Sequence, residues 1–247
     1  MTKGLFSKLS AIDPSDPLTW ERAFVTIDMD WAADEVIGQT IDLIERADVP
    51  ATWFVTHDTK TIRRLRENPN FELGIHPNFN FLLSGDTRLG ANMTETISRL
   101  LELIPEARSV RSHSLTTSTP LLQSMPSLGL THEANLFVPF DAGFDLRPFR
   151  LWNGVVRAPH FFEDDLFLLG RGDFSSLHRG LPATMHPRVK GGTRIYDFHP
   201  IHLFLNTDTM DRYERSRPHH RDMLRLEQYR NAGRGMRTLF ELILECR

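Results

Sequence analysis

The stretches AFVTIDMD (23–30), ATWFVTHD (51–58) and FELGIHPN (71–78) decide how this chain folds. Each is a short apolar run that ends on a carboxylate or an imidazole. Ala23–Ile27, Ala51–Thr56 and Phe71–Ile75 predict buried strands. Between the first two, Val36, Ile37, Ile41, Ile44 and Ala47 fall on one helical face of residues 33–47, and Pro50 closes the segment. A short helix is expected at Lys60–Glu67. Another starts near Asn92, where Glu95 three residues on is a capping signal and Ile97, Leu100, Leu101 and Ile104 follow. Arg108–Ser112 and Leu130–Leu136 read as further strands, with a helix at Thr117–Leu128 between them. Strands alternating with helices argue for parallel βα units, an α/β fold built on an open sheet or a barrel.

Farther along, Val155–Phe162 and Leu166–Leu169 are expected as strands, Arg171–Gly192 as a loop rich in Gly and Pro, and Arg194–Phe198 as the last strand. Residues 218–247 predict C-terminal helices interrupted at Gly233 and Gly235, and residues 1–20 an N-terminal arm broken by Pro14 and Pro17. A length of 247 residues favours one barrel-like domain over 1–247.

Composition narrows the function. With 40% hydrophobic and 25% charged residues the chain is neither disordered nor fibrous. Lys plus Arg number 29 and Asp plus Glu 32, so no basic excess exists to hold a nucleic acid. Cys246 is the lone cysteine, which excludes a disulfide framework and a cysteine-rich zinc site. No apolar signal region precedes Asp13 and no stretch approaches a membrane span, which predicts a cytoplasmic protein.

Polar residues of catalytic type stand just past the strand ends: Asp28 and Asp30, His57 and Asp58, His76 and Asn80, Arg111 and His113, His199 and His202. In parallel α/β folds these ends share one face, where active sites assemble. Asp28 and Asp30, two apart on an extended segment, point the same way and repel unless a cation or an arginine lies between them. By itself the pair fits a strand end with a helix-capping Asp equally well. His76 and Asn80 can lie one helical turn apart and reach a divalent ion held by Asp30. Arg111 is a natural partner for Asp28, His113 offers a third imidazole, and His199 can act as acid or base near neutral pH. His219 and His220 read as solvated. The arginines of the tail, Arg212 through Arg237, form either a phosphate site or, more simply, a solvated helical face.

VTIDMDW (25–31), ATWFVT (51–56), ELGIHPNFN (72–80), VRSHS (110–114) and YDFHP (196–200) occur in the order of the motifs of NodB-type polysaccharide deacetylases, carbohydrate esterase family 4. The HPNFN and DFHPIHLFLN variants resemble most the WbmS-like deacetylases of O-antigen biosynthesis clusters, and the resemblance covers residues 23 to 205. It implies a single-domain distorted (β/α) barrel and metal-dependent removal of an acyl group from a sugar. Asp28 would be the general base, Asp30 and His76 metal ligands, Arg111 the residue that keeps Asp28 ionised and oriented, and His199 the general acid.

The family's second metal histidine is Asn80 here, a weaker neutral ligand for zinc, so Asn80 or His113 completes the set. Asp164 or Asp165 in PHFFEDD would be the acidic partner of His199. His57, His202 and Trp31 are expected at the substrate. The resemblance also implies a divalent metal, zinc first and nickel, cobalt or manganese as alternatives. The substrate would be an acylated sugar, nucleotide-sugar or lipid-linked saccharide. Hydrolysis of a small C–N amide and a catalytically lapsed sugar-binding protein are the competing expectations.

Overall fold

The computed structural model describes residues 4–139, 142–143, 145–170, 172–188 and 192–247. Nine strands form one sheet: β1 (Ala23–Asp28), β2 (Ala51–Val55), β3 (Phe71–Ile75), β4 (Ser109–Val110), β5 (His132–Glu133), β6 (Phe149–Arg150), β7 (Val156–Arg157), β8 (Phe162–Glu163) and β9 (Arg194–Phe198). Their order is β6-β7-β5-β4-β3-β2-β1-β9-β8. All pairings are parallel except β6 with β7. The sheet curls into a half-barrel, the distorted (β/α) barrel expected. Between its edges, β6 and β8, the bridge of Phe137 to His160 draws the segment after β5 towards the segment before β8.

Period-2 alternation sorts each strand into two faces. Val25, Ile27, Trp53, Val55, Ile75 and Phe198 pack outward with the helices, among them Ile37, Ile41 and Ile44 of Asp34–Ala47 and Phe240 and Ile243 of Met236–Glu245. Phe24, Phe54, Ala134, Val156 and Ile195 fill the interior. Gly74 belongs to that inner face: a Cβ there would stand 2.9 Å from the Phe54 ring and 2.7 Å from the Ser109 carbonyl oxygen. Glycine therefore lets Phe54 lie across the barrel axis, where the Arg111 guanidinium sits 4.7 Å above its ring.

Three expectations need correction. The arm is a plug: Leu9, Ile12 and Trp20 are buried against Phe24 and Phe54 and close the N-terminal end of the barrel. Leu166–Leu169 is helical, within the helix Asp164–Leu169, because Asp164 and Asp165 supply a favourable acidic first turn and only one side of LFLL needs covering, with Leu168 buried. Val155–Phe162 divides into β7 and the start of β8 instead of one strand, and β6 was not anticipated. The loop expected at Arg171–Gly192 contains short 3₁₀ turns at Ser175–Arg179 and Ala183–Met185; Arg171 and positions 189–191 lie outside the described residues. Asn92 caps Met93–Leu103 as its spacing to Glu95 predicts, accepting the Glu95 backbone N–H at 3.0 Å.

Candidate active site

The inner face of β1 continues past Phe24 and Thr26 to Asp28, and the chain then turns through two left-handed residues, Asp30 (φ 39°) and Trp31 (φ 56°). A matching pair, Ser114 (φ 56°) and Leu115 (φ 51°), follows His113. Non-glycine residues adopt this region at a cost and do so where surrounding structure holds them. Both turns border the site: one aims the Asp30 carboxylate, the other follows the His113 imidazole. Asp30 Oδ1 lies 3.2 Å from His76 Nε2 and 3.2 Å from His113 Nδ1. Its Oδ2 lies 3.5 Å from His199 Nε2.

Arg111 holds the floor of the site. Its Nη1 donates to Asp28 Oδ1 at 3.0 Å, Thr26 Oγ1 at 2.9 Å and Asp197 Oδ1 at 2.5 Å, and its Nε donates to the Ala134 carbonyl at 3.2 Å. Two buried carboxylates on one cation cannot both ionise cheaply. Burial opposes the charge of each, but Asp28 also has His76 and His199 beside it, and with Arg111 they hold its carboxyl below the ordinary range. At Asp197 burial wins over Arg111, and its carboxyl is pushed well above the ordinary range. Asp197 is a site residue the motif comparison passed over. The signal was present: it precedes His199 by two residues in an otherwise apolar strand and shares its face.

Of the two candidate partners for His199, the structure selects Asp164. His199 Nδ1 is 2.6 Å from Asp164 Oδ1, and the His199 backbone N–H donates to Asp164 Oδ2 at 2.7 Å. Burial disfavours the imidazolium, yet Asp164 and Asp165 outweigh it and raise the pKa of His199 well above its ordinary value. Asp164 takes Nδ1, so Nε2 is the atom left to face Asp30. Asp165 pairs instead with His202 Nε2, at 2.6 Å.

The remaining candidates divide. Trp31 stands beside the site, its ring edge-on to His113 with centroids 5.1 Å apart. Thr56 Oγ1 accepts the Trp31 backbone N–H at 3.1 Å and lies 2.8 Å from His57 Nδ1, which places His57 one residue farther out. His202 is not a cleft residue: it is buried, its two ring nitrogens taken by Thr207 and Asp165. Asn80 is exposed, and its amide nitrogen donates to Ser114 Oγ at 3.1 Å. It makes no hydrogen bond to Asp30, His76 or His113 among the described residues.

Asp30, His76 and His113 fit a divalent ion. One ligand atom from each lies within 4.8 Å of the others. Ligands bound at about 2.0–2.1 Å in a tetrahedron stand about 3.3 Å apart, close to the separations from Asp30 seen here. Among the described residues, both ring nitrogens of His76 are buried without a hydrogen-bond partner of proper geometry, which a buried imidazole tolerates poorly unless something else engages it.

Comparison with known proteins agrees with this arrangement. Residues 25–217 match the model of the WbmS-like polysaccharide deacetylase family. No curated protein matches the chain. A crystal structure at 1.90 Å resolution, of the Bordetella bronchiseptica protein WbmS, assigned as a polysaccharide deacetylase involved in O-antigen biosynthesis, is similar to it. The two are 44% identical over 98% of this chain and 97% of that one, with a TM-score of 0.90. Likeness of this extent in sequence and fold together makes the chain a member of the WbmS-like polysaccharide deacetylase family.

Proposed function

We propose that this protein is a metal-dependent hydrolase that removes an acyl group, an N-acetyl group first, from a sugar of bacterial O-antigen, acting in the cytoplasm on a precursor. The observation that carries it is the placement of a held base and a held acid on either side of one ligand cluster. Asp28 on Arg111 and His199 on Asp164 flank Asp30, His76 and His113. The likeness to the Bordetella bronchiseptica protein supports the O-antigen setting. Among the described residues no helix is long and apolar enough to cross a membrane.

Asp30, His76 and His113 would hold the ion, zinc before nickel, cobalt or manganese, given one carboxylate and two imidazoles. Such an ion supplies Lewis-acid polarisation and acidifies water. The chain's own groups move the protons. Asp28, kept ionised and fixed in direction by Arg111, takes a proton from the water that attacks the acyl carbonyl. His199 delivers a proton from Nε2 to the departing nitrogen, since an amide nitrogen leaves readily only when protonated. Asp164 on Nδ1 fixes the ring and keeps it charged until that transfer. His113 speaks against a lapsed site, because it offers the imidazole that Asn80 lacks.

Elemental analysis of protein purified without chelator tests the ligand set. About one ion per chain is expected, lost in Asp30→Ala and His113→Ala and kept in Asn80→Ala. Native protein that takes up no ion after metal is added back would end the hydrolytic reading.

A further inference from the structure

Two carboxylate–imidazole pairs lie side by side in this molecule. Both carboxylates, Asp164 and Asp165, come from the first turn of the helix Asp164–Leu169. Both imidazoles come from the start of the helix Pro200–Leu205, His199 as its N-cap and His202 within it. Each pair closes at 2.6 Å. They differ in which partner faces outward.

In the first pair the carboxylate is the hidden member. Asp164 is fully buried, with Oδ1 taken by His199 Nδ1 and the Asp165 backbone N–H and Oδ2 by the His199 backbone N–H. The imidazole is presented to the reaction centre. In the second pair the imidazole is hidden. His202 is 1% exposed, with Thr207 Oγ1 3.0 Å from Nδ1 and the ring of Tyr213 4.8 Å away. An O–H from Thr207 to Nδ1 leaves Nε2 as the N–H donor to Asp165 Oδ1. The Asp165 side chain is 36% exposed. Among the described residues its Oδ2 makes no hydrogen bond. The ring of its partner His202 stands edge-on to that of His199 with centroids 6.0 Å apart, which places Asp165 at the edge of the same cleft. One pair is built to hold a proton donor, the other an acceptor.

A carboxylate fixed at the rim of a cleft, with one oxygen tied and the other open, suits a donor from the ligand. On a sugar that donor is a hydroxyl. We propose that Asp165 is a specificity residue, accepting a hydrogen bond from an uncharged donor, a hydroxyl in the simplest case, on the sugar ring that bears the acyl group. His202 is its positioning residue. This assignment rests on the reading of the protein as a sugar deacylase, and it replaces direct contact by His202 with contact through Asp165. The physical reason for the arrangement is rigidity. A lone carboxylate at a rim samples several rotamers, whereas one anchored by a buried imidazole pays that ordering cost before the sugar arrives.

The test compares the full-length protein with Asp165→Asn, Asp165→Ala and His202→Gln. Binding is followed by saturation-transfer NMR with the methyl glycosides of N-acetylglucosamine and N-acetylgalactosamine and their 3- and 4-deoxy analogues. Turnover of the same compounds is followed by release of amine. Loss of one charge-assisted hydrogen bond predicts binding weakened about ten- to a hundredfold in both Asp165 variants. The loss falls on KM, with metal content and kcat at the pH optimum unchanged, while the alkaline limb of the kcat profile moves to lower pH because a negative charge near His199 is gone. The deoxy analogue that lacks the recognised hydroxyl binds native and Asp165→Asn protein alike, and His202→Gln gives a smaller loss than Asp165→Ala.

Equal binding of these sugars by native and Asp165→Asn protein overturns the proposal, and so does native protein that binds none of them. A fall confined to kcat, with KM and sugar binding unchanged, also overturns it, since Asp165 would then act only on His199 and not on the sugar. Native protein that binds the sugars but releases no amine sinks the deacylase reading alone. Asp165 is then still judged by the binding comparison.

Discussion

The two ends of the barrel interior are built from the same strands, yet they treat titratable groups in opposite ways. At the N-terminal end Glu72 is saturated: its Oε2 accepts from the Ser10 backbone N–H at 3.0 Å and from Thr52 Oγ1 at 3.1 Å, and its Oε1 from Ser109. His132 uses both ring nitrogens, on Thr131 Oγ1 at 2.8 Å and on the Ile12 carbonyl at 2.9 Å. Leu9, Ile12 and Trp20 then seal that end. At the C-terminal end, among the described residues, neither His76 nitrogen has a hydrogen bond of proper geometry and Arg111 Nη2 has no hydrogen-bond partner, and four left-handed residues stand next to Asp28 and His113. A buried polar group left unpaired costs about 1–3 kcal/mol. Among the described residues Trp20 Nε1 and Arg194 Nε also lack a hydrogen-bond partner at the sealed end, so what sets the open end apart is an unpaired imidazole standing beside Asp30 and His113.

The sharpest way to break this contrast is at the reactive end. Asp28→Asn is expected to lower kcat about 10²- to 10⁴-fold while metal content stays unchanged. The variant should fold, because Arg111 still has the buried carboxyl of Asp197 as its partner. Elemental analysis beside steady-state kinetics checks both halves, and normal turnover would remove Asp28 as the base.

The sealed end is expected to answer in stability instead. Leu9 is fully buried, so Leu9→Ala should cost about 2–5 kcal/mol of unfolding free energy by urea titration. Turnover per folded molecule should hold. A parallel loss of turnover would mean that the two ends are mechanically one.

A smaller effect is expected at Asp164. Because burial is outweighed by Asp164 and Asp165, His199 has a raised pKa in the folded protein. Its contribution to stability is therefore complete below the unfolded imidazole value, about 6.5, and is lost as pH rises through the folded value. Asp164→Asn removes a negative charge that favours the imidazolium, so the alkaline limb of the rate profile should move to lower pH. The fall of stability with rising pH should flatten as well. A pH–rate profile and unfolding curves at several pH values test this, and an unmoved alkaline limb would show that His199 is not the titrating acid.

Much of this was legible in the chain itself. Apolar runs of strand length ending at Asp28, His76, Arg111 and His199 already place those groups at one end of a parallel sheet, because alternation and strand direction are local properties. The helix Asp34–Ala47 and the cap at Asn92 are local in the same sense. Choices between neighbours in space were not legible. Asp164 and Asp165 are adjacent, and only the packing of their helix against His199 and His202 gives each its own imidazole. Asn80 has the family spacing from His76, whereas His113 reaches Asp30 from another strand, through a turn whose left-handed residues no pattern announces.

The sequence by itself thus determined the fold class and the side of the sheet on which the chemistry sits, since periodicity and strand ends follow from neighbouring residues. Tertiary structure alone decided three things: that the arm is a plug, that His202 lies behind Asp165, and that of the two carboxyls on Arg111 Asp28 is held below the ordinary range while Asp197 is pushed above it. Each depends on which atoms meet across the barrel, and on how many charges share one cation once water is excluded.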